Sequence, residues 1–259
     1  MGMERLLLVD VGNSSTKVVW SEGARFEVLG RAVLATGELT AGRLGELTAG
    51  WDYGAACVAS VVPGQAAEVV ELCGGRVRVF ELGWRSRLGI GLDYPRPESI
   101  GADRLANAVA AVARMGSPVV VVDSGTAVTF DVVSGAGDYV GGVIAPGLDL
   151  MIDYLAERTA LLPRVELARP EAAVGRSTEQ AMRSGAYHGY RGMVGEILAR
   201  VCEELVPGAG GRVPVVATGG HAGLIFGDMA AIDAVLPDLT MEGLHLVARL
   251  ELGGEGETR

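Results

Sequence analysis

Residues 8–20 read LVDVGNSSTKVVW and residues 121–133 read VVDSGTAVTFDVV, the same pattern 113 residues further along the chain. In each, an apolar run ends on an aspartate, a glycine opens a polar turn, and a β-branched run follows. Asp10 aligns with Asp123, Gly12 with Gly125 and Thr16 with Thr129. The pattern predicts a strand, a tight turn and a returning antiparallel strand in each half. Two such half-chains point to an internal duplication, against the competing reading of two unrelated buried hairpins.

Working outward from the first copy, Arg25–Leu34 reads as a third strand, Leu39–Leu47 as a short helix and Ala55–Val62 as a strand stopped by Pro63-Gly64. A helix over Ala66–Leu72 and a strand over Val77–Phe80 follow, then a Gly- and Pro-rich loop over 83–99. Leu105, Val109 and Val112 give one apolar helical face between Ile100 and Arg114. Met115-Gly116-Ser117-Pro118 ends that helix, which sets the expected domains at 1–116 and 117–259.

Beyond the second copy, Tyr139–Ala145 reads as a strand ended by Pro146-Gly147, with a helix starting by Leu150. Ser177 with Gln180 makes a capping box for a helix expected to reach Leu205. Gly185, Gly189, Gly192 and Gly195 would let a second helix approach it closely. Val213–Ala217 reads as a buried strand, Leu244–Leu250 as a closing helix, and the Gly/Glu-rich tail as disordered. The expected architecture is α/β, with a mixed sheet in each of two domains. No GxGxxG follows the first strand and no GxxxxGK[ST] occurs, so neither a dinucleotide fold nor a Walker loop is indicated.

Composition bounds the function. Of 259 residues 49% are apolar, enough for a core without metals or disulfides. The net charge of −10 disfavours nucleic acid and anionic membranes as partners. Cys57, Cys73 and Cys202 form neither a disulfide framework nor a metal motif, which fits a cytoplasmic protein. No leader sequence and no run long enough to span a membrane is evident.

Three segments carry candidate chemistry. Asp10, at the edge of a buried strand, reads either as a ligand for hydrated Mg2+ beside a polyphosphate or as an Asx-turn carboxylate; its recurrence as Asp123 favours the first. Gly12, Asn13, Ser14, Ser15 and Thr16 form a loop dense in donors suited to phosphate oxygens. Lys17 reads as a phosphate contact or as a solvated strand residue, and Gly125-Thr126 is the comparable loop of the second half. In GADR (101–104), Asp103 is placed to take a proton from an attacking alcohol, with Asn107 on the same helical face, and Arg104 to clamp a substrate. The competing reading is an acidic first turn with a local ion pair. Thr178 reads as a substrate donor or part of a cap, and Thr218-Gly219-Gly220 as a nucleotide approach or a simple turn. His188 and His221 lack metal-ligand spacing and read as surface or packing residues.

DVGNSSTK, YPRPESIGADRLANAVAA, VVDSGTAVTFDVV, GGVIAPGL and VVATGG, in this order and spacing, resemble the type III pantothenate kinases over nearly the whole chain. The resemblance implies an acetate and sugar kinase/Hsc70/actin-like fold with two duplicated ribonuclease-H-like domains. It implies ATP-dependent phosphorylation of pantothenate, the first step towards coenzyme A, with Mg2+ and K+ or NH4+. It also implies a homodimer in which part of a pantothenate site comes from the neighbouring chain. Carried over by position, Asp10, Val11, Gly12, Asn13, Ser14, Ser15, Thr16 and Lys17 match the first ATP-phosphate segment. Thr126 matches a further ATP contact. Gly101, Ala102, Asp103 and Arg104 match the pantothenate segment, with Asp103 as general base, and Tyr94 and Thr178 match further pantothenate positions. Asp123 matches the monovalent-cation ligand. Ser14, Arg96 and Ser124 depart from the family's usual Thr, Asn and bulkier residue. A sugar or acetate kinase of the same superfamily, a noncatalytic homologue and a nucleotide-dependent scaffold are the alternatives. The mechanism expects the two aspartate-ended turns to face one cleft.

Overall fold

A computed structural model describes residues 5–206 and 212–253. The chain divides into two compact units, Met1–Arg114 with Asp238–Arg259, and Met115–Pro237. In chain order the first has β1 (Leu6–Val11), β2 (Ser15–Glu22), β3 (Glu27–Ala35), α1 (Ala41–Leu47), β4 (Ala55–Ser60), α2 (Ala66–Cys73), β5 (Arg78–Glu81), the two-residue β6 (Gly91–Leu92) and α3 (Ala102–Met115). The second has β7 (Val119–Ser124), β8 (Ala127–Val133), β9 (Asp138–Pro146), α4 (Leu148–Arg158), α5 (Thr178–Ser184), α6 (Tyr190–Leu205), β10 (Val215–Gly219), α7 (Ala222–Phe226) and β11 (Ala234–Val235). The final helix, α8 (Leu239–Gly253), belongs to the first unit.

Strands β1 to β5 are ordered β3-β2-β1-β4-β5, and β7 to β11 follow the order β9-β8-β7-β10-β11. In both units the two hairpin pairings are antiparallel. The two pairings on the other side of the first strand are parallel. The expected duplication of a mixed α/β unit is therefore present in the topology itself.

The sequence alignment of the two hairpins is nevertheless off by one residue in space. Val11 pairs with Thr16 in the first unit, but Ser124 pairs with Val128 in the second. Gly12 N–H closes its turn on Ser15 O, at 3.1 Å, whereas Gly125 N–H closes on Ala127 O, also at 3.1 Å. The second turn is one residue shorter, and a one-residue change sends side chains to opposite faces. Thr16 is fully buried, while Thr129 stands opposite Asp123 and is only partly covered. Asp10 and Asp123 keep their equivalence, each the penultimate residue of its strand.

In the first unit Leu7, Val9 and Val11 pack with Leu44 of α1 and Ala66, Val69 and Cys73 of α2. Strand alternation turns Leu6, Leu8 and Asp10 to the other face, where α8 packs on β1 and β4. This corrects the expected second domain, 117–259, because its last helix is part of the first unit. The attachment is specific: a methyl at Gly243 would lie 2.0 Å from Ala106 O, so α3 and α8 touch backbone to backbone. Thr240 Oγ1 donates to Asn107 Oδ1 at 2.8 Å, and Arg31 Nη2 pairs with Asp238 Oδ2 at 2.7 Å. Asn107 is thus a buried tie between α3 and α8 rather than part of an open polar face.

The helix expected over 177–205 is interrupted. Ser177 caps α5 as its motif predicts, accepting from Gln180 N–H at 3.2 Å, while Gln180 Oε1 accepts from Arg176 N–H at 2.8 Å. A π-turn over Gly185–Gly189 then separates α5 from α6. The expected close helix approach along the glycine series is not found among the described residues: added methyls at Gly185, Gly189 and Gly192 would meet nothing within 4 Å. The core of this unit instead gathers Phe130, Tyr187, Tyr190, Val194, Leu198 and Phe226 between sheet and helices. No helix among the described residues is long and apolar enough to cross a membrane. The residues after Gly253, read from sequence as a disordered tail, lie outside the described part.

Candidate active site

The first loop is built from beneath. Thr36, which follows β3, directs its hydroxyl proton to Gly12 O at 2.7 Å, so Thr16 is the donor in the 3.1 Å bond between the two threonine hydroxyls. Thr36 N–H also holds Ser14 O at 3.1 Å. These bonds fix the turn from below and leave Asn13 and Ser14 exposed at its tip. Thr16, expected to contact phosphate, places its hydroxyl under the loop. Val11 belongs to the core, and its carbonyl accepts from Val61 N–H at 3.1 Å. Gly12 N–H is committed to closing the turn on Ser15 O, so Asn13, Ser14 and Ser15 remain as the accessible donors. Lys17 stands directly opposite Asp10 in the β1–β2 ladder, which puts an ammonium and the nearly buried Asp10 carboxylate on the same sheet face.

GADR forms the entry to α3. Ala102 is buried and anchors the first turn. Asp103 Oδ1 accepts from Arg104 N–H at 2.8 Å. That fold-back brings the carboxylate over Gly101, where a methyl would lie 2.5 Å from Oδ1. Glycine at 101 is therefore the space the acid occupies. Burial raises the Asp103 carboxyl above the ordinary carboxylate range, against the opposing pull of the Arg104 amide and guanidinium. A carboxylate made more basic by desolvation and held at a helix start is suited to accept a proton. Tyr94 is half-buried ahead of a 3-10 turn over Pro97–Ser99, where Ser99 Oγ donates to Arg96 O at 2.7 Å.

In the second unit the Asp123–Thr126 loop is lined by two glycines from other segments. Gly147 N–H donates to Thr126 O at 3.1 Å, and a methyl there would stand 2.2 Å from Thr126 O and 2.4 Å from Gly125 O. Gly219 has φ +97 and pairs with Ser124; a methyl there would stand 2.4 Å from Ser124 O and 2.7 Å from Asp123 Oδ1. The GGVIAPGL and VVATGG segments thus supply backbone without side chains on either side of the loop, leaving Gly125 and Thr126 exposed. Pro146-Gly147 reads from sequence only as a turn; the glycine's contact with a loop some twenty residues earlier has no local signal. Thr36 was missed for the same reason. Thr178 is exposed at the start of α5. His188 is exposed with its ring edge-on to Tyr187, within the surface or packing role read from the sequence. His221 is more than a surface residue: its Nε2 lies 2.9 Å from Asp149 Oδ2.

A strand-end aspartate followed by a turn in each of two like-ordered mixed sheets is the arrangement of the acetate and sugar kinase/Hsc70/actin-like fold class. The solved structure of an inorganic polyphosphate/ATP-glucomannokinase from Arthrobacter sp. strain KM shares this fold with a TM-score of 0.52 at 14% identity, over 96% of this chain and 99% of that one. Within the class the assignment is narrower. The family model for type III pantothenate kinase matches residues 6–200. A type III pantothenate kinase from Akkermansia muciniphila is 50% identical over 250 residues, covering 95% of this chain and 99% of that protein. One from Methylacidiphilum infernorum is 38% identical, covering 95% and 88%. The chain belongs to the type III pantothenate kinase family.

Proposed function

We propose that this chain transfers the γ-phosphoryl group of ATP to the primary hydroxyl of pantothenate, giving 4'-phosphopantothenate and ADP as the committed step towards coenzyme A. The observation that carries the reading is the desolvated Asp103 carboxylate held over Gly101 beside Arg104. Asp103 accepts the hydroxyl proton as the new O–P bond forms and the bond to the ADP oxygen breaks. Arg104 and Tyr94 orient the acceptor, together with Gly101, Ala102 and Thr178. The loop at Gly12, Asn13, Ser14, Ser15 and Lys17 and the loop at Thr126 are assigned to the nucleotide, with Val11 and Thr16 supporting the first from below. Positioning and electrostatics supply most of the rate in phosphoryl transfer.

Asp10 would hold Mg2+, and Asp123 K+ or NH4+. The residues present fit hard cations: both are strand-end carboxylates, and Gly219 leaves Asp123 Oδ1 unobstructed by any side chain at that position. Among the described residues no group of three or more His, Cys, Asp or Glu side chains converges, so substrate oxygens and water would complete each shell. When bound, these cations offset charge on the phosphate oxygens. A homodimer is supported by α4, whose Leu150, Met151, Tyr154 and Leu155 form an exposed apolar stripe. Sedimentation of Tyr154→Glu beside the parent chain tests it.

The test of function is an acceptor panel of pantothenate, glucose, N-acetylglucosamine and acetate, with ATP, Mg2+ and either K+ or Na+. ADP formation that depends on pantothenate and is stimulated by K+ is the expected result. Activity confined to a sugar or to acetate rejects the assignment, and ATP binding without turnover on any acceptor marks a noncatalytic homologue.

A further inference from the structure

Asp149 and His221 each lie two residues beyond one of the glycines that line the second loop. Gly147 meets Gly125 and Thr126 from the β9–α4 junction, and Gly219 meets Asp123 and Ser124 from the end of β10. Those approaches are backbone contacts, held locally by the 3.1 Å bond from Gly147 N–H to Thr126 O and by the β7–β10 ladder at Gly219, and neither of them ties one glycine segment to the other. Beyond them the two segments are joined by a directional bond, His221 Nε2 to Asp149 Oδ2 at 2.9 Å. A carboxylate can only accept, so the imidazole proton sits on Nε2. The residue after His221 starts α7, and Asp149 lies in the first turn of α4, so the bond links the beginnings of two helices. Beneath the loop the fully buried Tyr190 ring carries a hydroxyl near Ser124 Oγ. Burial foremost, then the charges of Asp123 and Asp149, push the Tyr190 hydroxyl up, while Ser124 draws it down.

We propose that His221 and Asp149 form a clasp that holds the two glycine segments against the Asp123–Thr126 loop and so positions that loop for the phosphates of ATP. Both are positioning residues. The proposal rests on the assignment of this loop to the nucleotide. It distinguishes the pair from an ordinary exposed ion pair, which would contribute little wherever it lay.

The experiment measures steady-state kinetics of the full chain with ATP and pantothenate varied in turn. The variants are His221→Ala, Asp149→Ala, the double variant and His221→Gln, with melting temperature recorded for each. Each alanine variant is expected to raise KM for ATP about fivefold, the upper reach of such a pair, with KM for pantothenate and kcat within about twofold. The double variant should be no worse than the poorer single one, because the two changes break the same bond. His221→Gln, which keeps an N–H donor, should recover part of the loss. Unchanged KM for ATP, additive effects or equal rises in both KM values overturn the clasp. Gly147→Ala, with ATP binding measured by calorimetry, tests the underlying assignment separately. If it abolishes ATP binding while the His221 and Asp149 variants do nothing, the loop assignment stands and the clasp fails. If folded Gly147→Ala binds ATP normally, the loop assignment fails and the clasp falls with it.

Discussion

Gly101 and the Asp103 carboxylate share one space: a methyl on Gly101 would lie 2.5 Å from Asp103 Oδ1. The atom in the way is the end of a side chain, which can rotate, so Gly101→Ala is expected to move the acid without disrupting the fold. Pantothenate-dependent turnover should fall about 100-fold, the usual cost of losing a well-placed base. The melting temperature should stay within a few degrees of the parent. Thermal unfolding and initial rates on one preparation check this; retained turnover would remove Asp103 from the role of base in its observed rotamer.

Asp103→Asn keeps the acceptor for Arg104 N–H and deletes the basic oxygen. Turnover should drop by at least about 100-fold, with ATP binding preserved. Stability at neutral pH should hold or rise, because the substitution removes a charge whose burial is unfavourable enough to raise this carboxyl. The parent's kcat/KM should fall as acid protonates the base. Since the folded-state value is raised, that limb should lie above the ordinary carboxylate value of about 4. A limb at or below it would contradict the role, as would near-parent turnover of the variant.

The repeated LVDVGNSSTKVVW and VVDSGTAVTFDVV stretches made the duplicated topology legible, because strand ends, turn glycines and β-branched runs are local features. GADR was legible too, as an acid in a first turn. What the sequence concealed was tertiary. A one-residue difference in turn length decides that Thr16 is buried and Thr129 is not, although the two align. The periodicity of 244–250 announces a helix but not which sheet it covers; that is decided by tertiary contacts such as α8 packing on β1 and β4 and Gly243 lying against Ala106. Gly147 and Thr36 act on loops distant in sequence, so composition around each reads simply as a turn or strand end; Thr218-Gly219-Gly220 reads as a nucleotide approach or a turn, but its contact with Asp123 and Ser124 has no local signal.

The α3–α8 contact should be among the most sensitive places in the first unit. Gly243→Ala sets a methyl 2.0 Å from Ala106 O, a backbone atom of a helix that cannot rotate away. Overpacking of this kind costs about 1–3 kcal/mol or more, and the variant should unfold at clearly lower denaturant. Thr240→Val, which removes the donor to buried Asn107, should cost about 1–3 kcal/mol. Urea unfolding followed by circular dichroism checks both. A parent-like midpoint for Gly243→Ala would mean that the helices are not held this closely.

His245 gives the first unit an acid-side weakness. It is fully buried on α8, with Nδ1 3.0 Å from Ser21 Oγ on β2 and its ring edge-on to Phe26 at 5.7 Å. Burial, and secondarily the charge of Arg249, lowers its pKa to about 4, against the upward pull of the Gly23 backbone. The unfolded chain binds the same proton near the ordinary histidine value of 6.5. Between those two values the unfolded state carries the extra proton, so stability must fall as pH drops through this window. At about 1.4 kcal/mol per unit the full loss is roughly 3 kcal/mol, complete near pH 4 and absent above pH 7. Other carboxylates, Asp103 included, also titrate on the acid side, so the comparison is with His245→Gln across the same series. That variant should be less stable than the parent at pH 7, where it loses the fitted ring, and the gap should narrow steadily towards pH 4. A gap that stays constant over the series would show that His245 takes up its proton in the folded chain as readily as in the unfolded one.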